Sequence, residues 1–244
     1  MTSPRIEVFP TPERLTEAAG KEVLGVIARA IGERGICALA LSGGETPRML
    51  YRRLAETADG DEPDWSRVHL CFGDERMVSP DDAASNYGMV RDELIAHIPL
   101  PAGNVHRIRG ERPPAIAARE YAADIAGVLS RTGGKFDLVL LGLGTDGHTA
   151  SLFPGTDVLD ERAEAVRAVV ASVGPRVTLT LPVINGAREV LFLVSGEAKA
   201  SIVRRVLEPA AGEPPLPASL VRPVASAPCW MLDAAAAGSL AHSG

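Results

Sequence analysis

Leu138-Val139-Leu140-Leu141-Gly142-Leu143-Gly144-Thr145-Asp146-Gly147-His148 joins four consecutive apolar residues to a polar turn framed by three glycines. An unbroken apolar run, with no polar alternation, suits a strand covered on both faces by helices. Three other runs share this form. Ile36 to Leu41 leads into Ser42-Gly43-Gly44, Val68 to Phe72 into Gly73-Asp74-Glu75-Arg76, and Val190 to Val194 into Ser195-Gly196-Glu197. The spacing predicts helices over Pro47 to Ala55, Ser85 to Ala96, Ala115 to Ser130 and Glu197 to Leu207. Another follows Thr11-Pro12, an N-cap with proline at the first helical position; Leu15, Ala19, Val23, Val26, Ile27 and Ala30 recur at helical spacing until Gly35. Val166 to Val170, Val177 to Leu181 and Cys229 to Leu232 read as further strands. The alternation predicts a single α/β domain over residues 1–244, an open, mostly parallel twisted sheet with helices on both faces, Rossmann-like. Ligands of such sheets bind outside the carboxyl ends of the strands, so the four glycine-rich turns are expected to converge on one edge.

The chain has 244 residues, 46% hydrophobic and 23% charged, which is ample for a buried core and excludes a disordered or disulfide-stapled chain. Lys and Arg total 25 against 31 Asp and Glu, a net charge of −6, so no global basic footprint suggests a nucleic-acid partner. Aromatic residues, at 4%, are too few for base-stacking platforms. Cys37, Cys71 and Cys229 are odd in number and widely spaced, and read as buried thiols in a reducing compartment. No apolar stretch approaches a membrane span and the N-terminus lacks a signal-peptide layout, so a cytoplasmic protein with no membrane and no obligate protein partner is expected. Pro- and Gly-rich stretches fall at Gly60 to Asp64, Pro99 to Gly103 and Pro209 to Pro217; the last reads as a surface loop, and Ala241-His242-Ser243-Gly244 as a frayed tail.

Ser42-Gly43-Gly44-Glu45-Thr46 stands between a strand and a helix, where backbone N–H groups, hydroxyls and the close approach that glycine permits suit a phosphate. A tight turn with Thr46 as helix cap fits equally. The Gly-Lys-Ser/Thr of a Walker loop is absent. Ala40-Leu41-Ser42-Gly43-Gly44 approaches a serine-nucleophile elbow, but Ala40 replaces the first glycine that the strained turn needs. Gly142 to Gly147 matches G-x-G-x-x-G, yet Pro154 stops the helix that a dinucleotide fold requires. The same turn exposes His148 behind Asp146, as a general base would need. Taken singly, Lys199, Arg76 and Arg176 read equally as exposed surface cations; together on one edge they would supply the local positive charge that an acidic protein needs to bind an anion. His69, His97 and His106 read as packed or solvent-facing. Asp74, Asp146 and His148 have no second His or Cys at ligand spacing, so no metal is expected.

Several segments taken together resemble the 6-phosphogluconolactonase family, whose wider superfamily includes glucosamine-6-phosphate deaminase. They are Leu41 to Pro47, Gly73 to Arg76, Ser85-Asn86-Tyr87, Gly142 to Gly155, Pro175 to Thr180 and Gly196 to Lys199. After His148 this chain has Thr-Ala-Ser-Leu-Phe-Pro, where the deaminase typically has Ile-Ala-Phe-Asn-Glu-Pro with its catalytic glutamate. Glu45 departs from the small or basic residue common at its position, and Ser79-Pro80 from the usual proline after valine. The resemblance implies hydrolysis of a phosphorylated lactone, 6-phospho-D-glucono-1,5-lactone, without cofactor. His148 is then expected as the base, with Asp146 or Asp74 orienting it or the sugar hydroxyls. Arg76 or glycine N–H groups would hold the oxyanion. Ser42, Gly43, Gly44, Thr46 and Lys199, assisted by Arg176, would hold the phosphate. The alternatives are an amino-sugar phosphate isomerase or deaminase using Asp74, and a non-catalytic sugar-phosphate sensor.

Overall fold

The computed structural model describes residues 3–57 and 63–241. His242 and most of the Gly60 to Asp64 stretch therefore lie outside the described residues. The chain opens with β1 (Arg5–Phe9) and α1 (Pro12–Arg34), then β2 (Cys37–Leu41) and α2 (Glu45–Glu56). Next come β3 (Val68–Phe72), β4 (Asp74–Arg76), α3 (Asn86–Glu93), α4 (Pro114–Arg131) and β5 (Leu138–Leu141). The remainder is β6 (Val166–Ala171), β7 (Gly174–Leu179), α5 (Leu181–Gly186), β8 (Glu189–Val194), α6 (Ala200–Leu207), β9 (Cys229–Asp233) and α7 (Ala234–Ala237).

The predicted caps of α1 are present. Thr11 accepts from the Arg14 N–H, Pro12 opens the first turn, and Gly35 closes the helix at φ 73° with its N–H on Ile31 O. The apolar runs form the sheet, in the order β1-β9-β8-β5-β2-β3, with every neighbouring pair parallel. Every residue of β2, β3 and β5 is buried, as continuous apolar runs require. Each fully covered leucine, such as Leu39, Leu70 or Leu140, contributes about 1.5–3 kcal/mol through burial.

Strand order also fixes where ligands belong. From β2 the chain steps to β3 on one side, and from β3 it returns to β5 on the other. Right-handed crossovers then put α1 and α2 on one face, where they pack together, and α4 and α6 on the opposite face. Between β2 and β5 the winding reverses. Side chains leaving their carboxyl ends open into that crevice.

Several expectations are corrected. Gly73 to Arg76 is not simply a turn: Asp74–Arg76 forms β4, the edge of a separate antiparallel sheet ordered β4-β7-β6. The strand expected at Val177 to Leu181 is Gly174–Leu179, because Pro182 sits in the first turn of α5. It and β6 lie outside the parallel sheet. Gly73 joins the two sheets, donating to Leu41 O and accepting from the Leu179 N–H, both at 2.8 Å. The second helix begins at Glu45, two residues before Pro47, and Thr46 does not cap it. Ser85 caps α3, which ends at Glu93, and Glu197–Lys199 is a 3-10 turn ahead of α6.

Candidate active site

A cleft of about 730 Å³ opens at the carboxyl ends of the parallel strands and is lined by all ten residues that the sequence singles out. The β2–α2 turn supplies Ser42, Gly43, Gly44 and Thr46. Tyr51 of α2 holds this turn: its hydroxyl accepts from the Ser42 N–H at 3.0 Å and donates to Ser42 O at 2.8 Å. Ser42 is buried, and its Oγ has no hydrogen-bond partner among the described residues. Gly44 lies at φ 109°, a region that favours glycine, immediately before α2. Thr46 Oγ1 is 2.7 Å from Ser195 Oγ, which ties this turn to the one after β8. The end of β2 thus delivers a hydroxyl, two glycines and the N-terminus of a 12-residue helix to one wall, a fitting cradle for an anion.

The turn after β5 sets the histidine. Gly144 N–H donates to His148 O and Gly147 N–H to Gly144 O, with Gly147 at φ 86°, so the chain doubles back tightly. The imidazole lies over Gly144, where a Cβ would stand 2.1 Å from Nδ1. His148 Nδ1 is 2.5 Å from Asp146 Oδ1, which also accepts from the His148 N–H at 3.0 Å. Burial pushes the Asp146 carboxyl up, but these bonds from His148 outweigh it and hold the group below its ordinary value. An ionised Asp146 requires a proton on Nδ1, so in the neutral ring it is Nε2 that carries the lone pair. The Phe153 ring packs against the imidazole, centroids 4.5 Å apart. Ala150, two residues on, takes φ 48°, a left-handed conformation that costs a non-glycine residue about 1 kcal/mol or more.

Asp74 occupies a different place. Its Oδ2 accepts from Ser151 Oγ at 2.6 Å and its Oδ1 from Asn86 Nδ2 at 3.3 Å, so the partner of the imidazole is Asp146. Ser151 is itself held by the bond from its N–H to Thr178 Oγ1. Neighbouring Glu75 accepts from the N–H groups of Arg76, Asn86 and Tyr87 and from Ser85 Oγ. Burial nevertheless raises the Glu75 carboxyl, and Asp74 adds to the shift.

Three cations face the cleft, and among the described residues none has a carboxylate within ion-pair distance. Arg76 donates to Ala84 O, Arg176 to Pro175 O and Lys199 to Leu143 O. Arg76 and Arg176 stand directly opposite each other across β4 and β7. Burial and the Arg76 charge lower Arg176, while burial alone lowers Lys199 against the opposing pull of Asp146.

Nothing in the local sequence marks Ser151, Asn86 or Phe153 as builders of the site beyond their place in the quoted segments, and Tyr51 lies outside those segments altogether. The remaining described histidines lie elsewhere. His69 stacks on His106 at 5.2 Å between centroids, and burial with the nearby His106 and Arg131 charges pushes it down to about 4. His97 bonds to Asp92 O. The three cysteines are buried and free.

The sequence profile described as glucosamine-6-phosphate isomerases/6-phosphogluconolactonase matches residues 10–230. A 6-phosphogluconolactonase of Rattus norvegicus is 42% identical over 238 residues, spanning 95% of this chain and 92% of the relative. The chain belongs to this family. The solved 6-phosphogluconolactonase from Trypanosoma cruzi matches with a TM-score of 0.87 at 31% identity, over 98% of each chain. A monomeric glucosamine-6-phosphate deaminase structure, 23% identical, matches with a TM-score of 0.80 over 96% of this chain and 99% of that one. It shows the common fold. Among the described residues no helix is long and apolar enough to cross a membrane.

Proposed function

We propose that this chain hydrolyses 6-phospho-D-glucono-1,5-lactone to 6-phospho-D-gluconate, the lactone-opening step of the oxidative pentose phosphate pathway, and works in the cytoplasm. Relatives named 6-phosphogluconolactonase, matched over nearly their whole length, support the reaction. Buried free thiols fit a reducing compartment. One observation carries the mechanism: the Asp146–His148 pair opens into the same cleft as three cations that have no carboxylate partner among the described residues.

A δ-lactone is an activated ester, so a positioned water and a base suffice. In this reading His148 Nε2 takes a proton from water as the water oxygen bonds to C1. The carbonyl electrons move onto oxygen, and Arg76 or the glycine N–H groups receive that charge. The tetrahedral species collapses, the bond from C1 to the ring oxygen breaks, and His148 returns the proton to the departing oxygen. Asp146 keeps the imidazole in the required tautomer and balances its charge while it is protonated. The chemistry needs neither a covalent intermediate nor a metal.

The phosphate sits against Ser42, Gly43, Gly44 and Thr46 with Lys199 and Arg176, and fixes the carbonyl relative to His148. Asp74, bonded to Ser151 and Asn86 rather than to the imidazole, is left to accept from sugar hydroxyls. At the deaminase glutamate position stands Phe153, whose ring against His148 can carry no proton, so ammonia release from glucosamine 6-phosphate is not expected. The test is turnover of the phosphorylated lactone alongside calorimetric binding of 6-phosphogluconate. Hydrolysis well above the spontaneous rate is expected; binding without turnover would leave a sensor.

A further inference from the structure

Asn86 is the first residue of α3, 2% exposed, and both its N–H and its side-chain amide donate to β4. Its N–H donates to Glu75 Oε1 at 2.7 Å, while its side-chain Nδ2 donates to Asp74 O at 2.9 Å and to Asp74 Oδ1 at 3.3 Å. The other side of the same amide meets the β2–α2 turn. A Cβ on Gly43 would stand 1.9 Å from Asn86 Oδ1 and 2.6 Å from its Cγ. Gly43, unlike Gly44, does not have a left-handed φ, so what its missing side chain supplies is room for this amide. The helix end carrying Asn86 has no slack: Ser85 caps α3 by accepting from the Gly88 N–H, and Tyr87 N–H donates to Glu75 Oε2.

We propose that Asn86 is a positioning residue that ties the Asp74 carboxylate to the Gly43 turn, so that the sugar and phosphate ends of the ligand are held in register. This rests on the reading above in placing phosphate at Gly43 and sugar at Asp74. One planar amide touches both walls, and its donor faces an oxygen of Asp74. The charged and titratable groups around Asp74 are Glu75 and Arg76 on β4, Arg176 on β7, Tyr51 on α2 and Tyr121 on α4. Ser151 completes its hydrogen bonding.

Asn86→Asp keeps the shape and sets a second carboxylate where the donor was. Repulsion replaces the tie, so Asn86→Asp should weaken 6-phosphogluconate binding about tenfold, and Asn86→Asp/Asp74→Asn, which exchanges the two groups and restores a donor beside an acceptor, should recover at least about threefold. Calorimetric titration with 6-phosphogluconate reads both. Binding unchanged in folded Asn86→Asp, or no recovery in the exchanged pair, overturns the assignment. Should that variant not fold, a second pair carries the test. Gly43→Ala is expected to weaken 6-phosphogluconate binding about tenfold, and Gly43→Ala/Asn86→Ala to recover at least about threefold, the coupling typical of touching residues. Losses that simply add overturn it. Binding of 6-phosphogluconate is read whether or not the wild type turns over lactone, so failure of the lactonase reading is told apart from failure of Asn86.

Discussion

Two clefts of similar size lie at opposite ends of the parallel sheet, about 730 Å³ at the carboxyl ends and about 620 Å³ at the amino ends. The amino-end cleft is rich in charge, but its charges answer one another. Arg5 pairs with Glu7 and Glu22, Arg29 with Glu189, Arg34 with Glu33 and Asp137, and Arg188 with Asp137. At the carboxyl end, among the described residues, Arg76, Arg176 and Lys199 bond only backbone carbonyls, and Asp146 and Asp74 are occupied by His148, Ser151 and Asn86. The first arrangement closes the sheet; the second leaves positive charge for an anion. Volume does not separate the two. Charge compensation does.

That contrast breaks most visibly at His148. A folded His148→Ala variant should lose about 10²–10⁴-fold in lactone hydrolysis, the usual worth of a positioned base, measured as kcat above the spontaneous rate. The opposite result belongs to the amino end. Asp137 is 1% exposed and accepts from Arg34 at 2.8 Å and from the Ala38 N–H at 2.8 Å. Asp137→Ala should lower unfolding free energy by about 3 kcal/mol in urea titrations, as breaking a buried pair does, with kcat/KM of the remaining folded enzyme unchanged.

Lys199→Ala should raise KM for the phosphorylated lactone about tenfold to a hundredfold, from loss of a charged hydrogen bond, and leave the unphosphorylated lactone nearly untouched. Arg29→Ala, which removes a cation from the other cleft, should change neither KM. The smallest effect is in pH. Lys199 must be protonated to hold phosphate, and burial lowers it from 10.5, so affinity should fall as pH rises through that lowered value. In Lys199→Arg, which stays charged, that alkaline limb of KM should disappear.

Whatever depends on residues close in the chain was legible in the sequence. Thr11, Pro12 and Gly35 mark the ends of α1 within a few residues of the groups they cap, and the runs of β2, β3 and β5 announce strands buried on both faces. Convergence of the residues chosen from the Gly43, Asp146 and Gly196 turns followed from placing each turn after a parallel strand, whereas Asp74, Arg76 and Arg176 reach the cleft from the antiparallel sheet. β1 was not legible, because Arg5 and Glu7 alternate with half-exposed Ile6 and Val8 at the sheet edge. β4 is three residues long and exists only by pairing with Thr178, Val177 and Arg176, about a hundred positions away. The roles of Ser151 and Ser195 depend on partners 77 and 149 residues distant. The choice between Asp146 and Asp74 as partner of His148 was likewise open until the turn at Gly144 and Gly147 fixed the ring.

A structure with 6-phosphogluconate bound tests the account most directly. The phosphate should lie within hydrogen-bond reach of Lys199, Arg176 and the Gly43-Gly44 turn, with the C1 carboxylate beside His148 Nε2. A ligand with these ends reversed, or one seated among Arg29, Arg34 and Arg188 instead, would contradict it.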